Sequence, residues 1–159
     1  MRPNTRRPEE LQGPFTPENL GLLIARVMVA AIFVWSGFGK LSSLSHFTAG
    51  MVERGLPFAQ LLAPVGAVVE FAAGLALILG AWTRIAALAL AVFTVVATII
   101  AHRFWDAPVT EQPMQAIQFM KNVAIIGGLA ALIAVGGGGF SFDRMMRGPS
   151  FPAKPLNTR

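Results

Sequence analysis

The sequence predicts an all-α integral membrane protein: a four-helix bundle with a short interfacial helix between its first and second spanning helices. Three observations predict this class. The 159 residues have a mean hydropathy of +0.59, and only 13% of them are charged, whereas a soluble domain carries about 25% charged residues. The charges concentrate near the two ends and in short joints. Four apolar runs each approach the roughly 20 helical residues that cross a bilayer.

The polar segments delimit one membrane domain over residues 19–136. Residues 1–18 are expected to be a basic cytoplasmic tail rather than a signal peptide, because Arg26 interrupts the apolar run that follows. Residues 137–159, which begin in a glycine run and continue basic and proline-bearing, are expected to be a second cytoplasmic tail. The predicted spanning helices lie at about 20–41, 60–80, 84–104 and 114–135.

The distribution of lysine and arginine predicts that both ends face the cytoplasm, an N-in, C-in orientation, because cytoplasmic joints carry the excess of these residues. In that orientation the inside joints hold Arg2, Arg6, Arg7, Arg84, Arg144, Arg147, Lys154 and Arg159, and the outside joints hold Lys40, Arg54 and Arg103.

The connection between the first two runs predicts the interfacial helix. Phe47 and Met51 are four residues apart and share a face, and Gly55 and Pro57 supply stop signals.

Composition excludes several kinds of chemistry. The chain has no cysteine, which excludes disulfides, thiolate metal sites and iron–sulfur ligation by this chain. His46 and His102 are its two histidines, too few for a histidine metal centre, so we predict no metal site. The basic residues form no single dense patch, so we expect contact with the lipid bilayer and no nucleic-acid binding.

The centre of the second apolar run carries one carboxylate, Glu70. A charge in the middle of a spanning helix costs at least about 2.5–3.5 kcal/mol on insertion scales. Gly66 and Gly74 share its helical face, which lets another helix approach. We therefore predict a buried partner for Glu70. Arg26 is the candidate from the cytoplasmic half, and Lys121 is the candidate from the outer half.

A second polar group is predicted in the outer third of the bundle. His102, Lys40, Asn122 and Lys121 would cluster there if their helices adjoin. Simpler readings remain open: a structural ion pair for Glu70 and Arg26, a snorkelling helix-end lysine for Lys40, and an interfacial side chain for His102.

Six short segments, in this order along the chain, resemble the DoxX family of small bacterial membrane proteins. They cover about residues 20–135. They are Arg26, FVWSGFGKL (Phe33–Leu41), RGLP (Arg54–Pro57), VVEFAAGLALILGAWTR (Val68–Arg84), AHRFW (Ala101–Trp105) and FMKNVAIIGGL (Phe119–Leu129).

The resemblance implies a multi-pass four-helix protein of the bacterial cytoplasmic membrane. The family takes its name from a subunit of a thiosulfate:quinone oxidoreductase, which makes a quinone the candidate ligand and a redox enzyme the candidate partner. No covalently bound cofactor is expected. The implied polar positions are Arg26, Lys40, Glu70, His102, Lys121 and Asn122, with no catalytic role assigned to any of them.

We therefore expect an accessory or anchoring subunit of a redox system that is not catalytic alone. In this hypothesis Glu70 and His102 hydrogen-bond a quinone, while Arg26, Lys40 and Lys121 balance charge. The alternatives are a component of small-solute or proton transport and a purely structural membrane scaffold. The sequence leaves a homo-oligomer open.

Overall fold

The computed structural model describes residues 15–147, and this part of the chain contains helices and connections but no strand. Four of its helices are long and apolar enough to cross a membrane, which confirms the predicted class. The N-in, C-in orientation stays a prediction. The elements are α1 (Pro17–Ser42), α2 (Leu44–Glu53), α3 (Ala59–Leu79), α4 (Thr83–Ala101), a 3-10 turn (Phe104–Asp106), α5 (Gln112–Val135) and α6 (Phe142–Arg147).

Local sequence signals set the helix boundaries. Thr16 accepts a hydrogen bond from the Asn19 N–H at 3.3 Å, and Pro17 occupies the first turn of α1, as expected of an N-terminal cap. Gly80 ends α3 in the left-handed region with φ of 69°, where a residue without a Cβ atom is favoured. The predicted interfacial helix is α2, which has no buried residue and so lies on the outside of the bundle.

The long helices alternate in direction. α1 packs most extensively on α3, α3 packs on α4, and α4 packs on α5, whereas α5 touches α1 only lightly. Glycines permit the closest contact: a Cβ atom on Gly37 would lie 2.8 Å from the Phe71 backbone nitrogen, and one on Gly74 would lie 3.0 Å from Val34 Cγ2. These contacts place Gly37 opposite Phe71, and they fix the register of α1 against α3.

An apolar layer fills the middle of the bundle. Along α1 it lies between Arg26 and Lys40, and along α3 it lies between Glu70 and Gly80. The end of the bundle where α1 begins and α5 finishes is here called the termini end. The apolar layer separates the polar groups at the termini end from the polar groups nearer the opposite end. The buried members of the layer are Ala30, Phe33, Leu77, Ala86, Ala87, Leu90, Leu129 and Leu132.

The segment after α5 differs from the expected tail. Residues 136–147, here called the C-terminal strap, fold back across the termini end and finish in α6. The remainder of both predicted basic tails, residues 1–14 and 148–159, lies outside the described residues.

Candidate functional site

Lys40 and Glu70 form an ion pair inside the bundle. Lys40 Nζ lies 2.5 Å from Glu70 Oε2, with the carboxylate side chain 4% exposed and the lysine side chain 25% exposed. Glu70 projects from the middle of α3, and Lys40 reaches back from the last turn of α1. The ammonium compensates the buried carboxylate and explains how the α3 segment tolerates an acid at its centre.

Two aromatic rings flank the ammonium. Lys40 Nζ lies 5.3 Å from the centroid of the Phe47 ring on α2 and 5.2 Å from that of Phe93 on α4. These distances are within the range of cation–π attraction. The side chains that surround this one charge thus come from α1, α2, α3 and α4.

The predicted pairing of Glu70 with Arg26 is wrong, and the register of α1 against α3 explains why. Gly37 faces Phe71, next to Glu70. Lys40 is three residues from Gly37, about 5 Å along the helix axis, whereas Arg26 is eleven residues away, about 16 Å. Hydropathy and spacing do not contain this register, so the sequence favoured Arg26 and Lys121 over Lys40 as partners of Glu70.

Arg26 instead holds the C-terminal strap. Its Nη1 donates to the Gly137 carbonyl oxygen at 2.6 Å and its Nη2 donates to the Phe140 carbonyl oxygen at 2.8 Å. Arg26 is only 1% exposed. Buried carbonyl groups of irregular backbone need hydrogen-bond donors, because no regular helix ladder satisfies them. The buried guanidinium supplies them.

A carboxylate on the strap caps α4. Asp143 accepts hydrogen bonds from the Trp82 N–H at 2.6 Å and the Thr83 N–H at 2.8 Å through its two oxygens. Trp82, at the start of α4, makes no side-chain cap of its own. Asn19 Oδ1 accepts from the Gly139 N–H at 2.6 Å and fastens the strap to the start of α1. The strap is therefore an integral part of the bundle.

The remaining predicted residues join α4 to α5 or lie outside the bundle. Asn122 Nδ2 donates to Thr98 Oγ1 at 2.8 Å, and His102 Nδ1 lies 2.9 Å from Gln115 Oε1. Lys121 is exposed and donates to Gln118 Oε1 on its own helix. The predicted pairing of Lys121 with Glu70 is therefore wrong. The four residues expected to form one outer cluster therefore do not meet. Lys40 pairs with Glu70, Asn122 and His102 bond across α4 and α5, and Lys121 is exposed.

Sequence reasoning missed several of the partners. Nothing in the sequence indicated that the rings of Phe47 and Phe93 would flank Lys40 or that Asp143 would cap α4. Thr98 could have been identified from the sequence, because it falls on one small and polar helical stripe with Thr94 and His102. Across residues 15–147, no group of three histidine, aspartate or glutamate side chains could hold a metal ion.

Two cavities accompany these features. One of about 840 Å³ lies at the termini end and is lined by strap residues together with Asn19, Thr83 and Arg84. The other, about 320 Å³, is an apolar groove along α1 and α3 that includes Trp35 and Phe71. Neither is lined by Lys40 or Glu70, so a ligand of the ion pair would approach from the exposed side of Lys40.

The fold and its charged interior define a small multi-pass helical membrane protein. The family profile described as DoxX matches residues 21–103. The chain is 32% identical to the inner membrane protein YqjF of Escherichia coli K12 over 129 residues, covering 81% of this chain and 94% of the relative. It is 34% identical to the inner membrane protein YphA of the same organism over 123 residues, covering 77% and 88%. No solved structure matches.

The chain belongs to the DoxX family. These relatives and the four spanning helices confirm the predicted location in the bacterial inner membrane. The family match includes Arg26, Lys40, Glu70 and His102, whereas Lys121 and the strap follow it.

Proposed function

We propose that this protein is an accessory or anchoring subunit of a quinone-linked redox system, and that the Lys40–Glu70 pair binds the quinone head group. One observation carries the proposal. A buried carboxylate and a partly exposed ammonium lie together between two aromatic rings, on one side of an apolar layer. This arrangement suits a planar, oxygen-bearing ligand that arrives from one side.

The residues present fit a quinone. An ammonium has three N–H donors, and Glu70 accepts one of them, so Lys40 retains donors for a quinone carbonyl oxygen. The rings of Phe47 and Phe93 offer apolar faces beside that oxygen. Glu70 holds the Lys40 ammonium in position next to the ligand. A bound quinone would supply the electron-accepting chemistry, with its electrons coming from a partner redox enzyme.

His102 falls outside this proposed site. A Cβ atom on Gly66 of α3 would lie 3.6 Å from Phe93 Cε2 of α4, so these two residues mark one level of the bundle. His102 is nine residues beyond Phe93, and Glu70 is four residues past Gly66 in the opposite direction. Their separation along the axis is roughly 20 Å, too far for one head group to touch both.

The apolar layer favours an accessory role over transport. A transport path within one chain needs polar groups or a water-filled cavity along its length. Here packed side chains, among them Phe33, Leu77 and Leu90, separate Glu70 from the polar termini end. The chain also has no cysteine for dithiol redox chemistry, which supports a role beside a catalytic partner rather than alone.

Quinone binding by the purified full chain in lipid nanodiscs tests the proposal. The probes are short-chain ubiquinone and menaquinone analogues, titrated by calorimetry. Lys40→Met should weaken binding at least about tenfold, since a hydrogen bond to a charged group contributes about 1.5–3 kcal/mol. Glu70→Gln should weaken it less, because an amide still accepts from Lys40. Arg103→Gln, at an exposed position outside the long helices, is the matched control. Equal affinity for wild type and Lys40→Met would overturn the proposal.

A second measurement separates a redox role from a purely structural one. The variant that combines Lys40→Met with Glu70→Leu replaces the pair by apolar side chains. Quinone-linked electron transfer in membranes should fall for this variant although the protein still folds. Full electron transfer with the pair removed would leave the scaffold as the better reading.

A further inference from the structure

We infer that the outer face of α5 docks a transmembrane helix of another protein, and that this helix carries a carboxylate at the depth of Lys121. The outer face is defined by Lys121, Ala124, Gly127, Ala131 and Ala134, all of them exposed. The inference rests on the proposed accessory role in one respect, because it names the kind of partner such a subunit would join. It does not depend on quinone binding.

α5 is the least covered of the four long helices. Of its 24 residues only Leu129 and Leu132 are buried, and it closes only lightly on α1. Large apolar side chains near its start are free of protein contacts over most of their surface, with Ile117 63% and Met120 61% exposed. A further helix could therefore lie alongside α5 without displacing any part of the bundle.

Lys121 places a charge on this face within the membrane-spanning length. It is nine residues past the start of α5. Its neighbour Asn122 bonds to Thr98, three residues before the end of α4. Among the described residues its hydrogen-bond partner is Gln118, a neutral side chain on the same helix. A cation at such a depth usually faces protein and is paired there, so a carboxylate on a docked helix would complete it.

The residues that follow Lys121 along the outer face of α5 are small and permit close contact with another helix. Ala124, Gly127 and Ala131 follow it at intervals of three, three and four residues, which keeps them on one face. A Cβ atom on Gly127 would meet nothing within 4 Å. Small residues four apart are typical of interfaces at which two spanning helices approach closely.

A second copy of this chain does not supply the missing charge. A two-fold dimer through the outer face of α5 would bring Lys121 toward the Lys121 of the other copy, and like charges repel. The acidic residues in the four long helices are Glu18, in the first turn of α1 at the termini end, and Glu70, already paired with Lys40. The complementary acid must come from a different protein.

Model transmembrane peptides test this inference in vesicles of neutral lipid. The full chain, which has no native cysteine, is labelled at Val109→Cys in the exposed loop before α5. Energy transfer reports its association with leucine–alanine peptides that carry glutamate, glutamine or lysine at the depth of Lys121. Wild type should bind the glutamate peptide at least about threefold more tightly than the glutamine peptide, and the lysine peptide most weakly. Lys121→Glu should reverse this order.

Two further variants locate the contact. Gly127→Leu should weaken binding of every peptide, whereas Gly21→Leu, at an equally open position on α1, should not. Equal binding of the glutamate and glutamine peptides would overturn the inference and leave Lys121 as a side chain that only extends to the membrane surface. Disulfide-linked dimers of an Ala124→Cys variant in vesicles would overturn it in favour of a second copy. The assay contains no quinone, so its failure is distinct from failure of the proposed function.

Discussion

Two cations on α1, one buried and one partly exposed, are accommodated in different ways. Arg26 is almost fully buried, and its planar guanidinium is bonded to two backbone carbonyls of the C-terminal strap. Lys40 is a quarter exposed and shares its charge with a carboxylate and two aromatic rings. A guanidinium fixed to backbone stabilises one conformation, whereas a compact ammonium beside an acid can exchange partners. The difference supports the proposal that Arg26 holds the termini end together while the Lys40–Glu70 pair faces a ligand.

The packing around Arg26 and the packing around Lys40 differ in the same way. Around Arg26 the backbone is close-packed: a Cβ atom on Gly80 would lie 2.5 Å from Arg26 Nη1, and one on Gly137 would lie 2.6 Å from Ser141 Cβ. Around Lys40 the cover is α2, a surface helix with no buried residue. We expect the region around Arg26 to resist local unfolding. The region around Lys40 should open locally at a low cost in free energy.

The largest effect should come from removing the strap's anchor. Arg26→Met leaves the carbonyls of Gly137 and Phe140 without their donor, and each unpaired buried group costs about 1–3 kcal/mol. The free energy of unfolding in mixed micelles should fall by about 3 kcal/mol. The control is Arg84→Gln, which removes an exposed donor to the Ala134 carbonyl and should cost less than about 1 kcal/mol. Equal losses would mean that the strap is not held by Arg26.

A smaller loss of unfolding free energy is expected from adding a side-chain atom to the closely packed region around Arg26. Gly80→Ala puts a Cβ atom against Arg26 and the Ser141 backbone, at a φ of 69°, and should cost about 2 kcal/mol. Gly39→Ala, in a helix with open space around it, should be neutral or stabilising by up to about 1 kcal/mol. Thermal unfolding of the two variants side by side makes the comparison. A stable Gly80→Ala protein would contradict the tight packing described for the termini end.

The ion pair should behave as a coupled unit with a smaller net contribution. Lys40→Met alone leaves the Glu70 carboxylate buried without its partner and should cost about 2 kcal/mol. Adding Glu70→Leu should recover most of that loss, because an apolar pair avoids the cost of burying charge. A double-mutant cycle on unfolding free energies measures the coupling, expected at about 1–2 kcal/mol. Additive losses would show that the two side chains do not interact in the folded protein.

The smallest effect should come from the cap on α4. Asp143→Asn leaves one oxygen to accept from the N–H groups of Trp82 and Thr83 and should cost about 1 kcal/mol. Asp106→Asn, which weakens an exposed ion pair with Arg103, should change stability by less than about 0.5 kcal/mol. Chemical denaturation of both variants provides the test. A larger loss from Asp106→Asn would mean that the cap contributes little.

The sequence was sufficient for the architecture because long apolar runs bounded by polar joints leave few alternatives in a bilayer. α2 was predictable for the same reason, since Phe47 and Met51 share a face and stop signals follow them. The strap was not predictable. Its glycine run and six-residue helix have no periodicity, and its order depends on Arg26, more than a hundred residues earlier in the chain.

For the site, the sequence identified charged residues but not their contacts. Glu70 stood out because one acid in an apolar helix needs a partner. Which cation meets it depends on the contact of Gly37 with Phe71, a detail of register that hydropathy does not contain. Depth along each helix could be estimated from the sequence, but the offset between helices could not. Lys40 therefore has the partner expected of Arg26, and Arg26 holds a segment whose fold the sequence did not predict.

We propose that the Lys40–Glu70 pair binds a ligand while Arg26 stabilises the fold, and one set of measurements tests both roles. Unfolding free energy and quinone affinity are measured in parallel for Arg26→Gln and for the variant combining Lys40→Met with Glu70→Leu. We predict that Arg26→Gln loses stability but binds quinone as wild type does. The combined variant should keep its stability within about 1 kcal/mol and lose at least about tenfold in affinity. Wild-type quinone affinity in the combined variant would contradict a ligand-binding role for the pair.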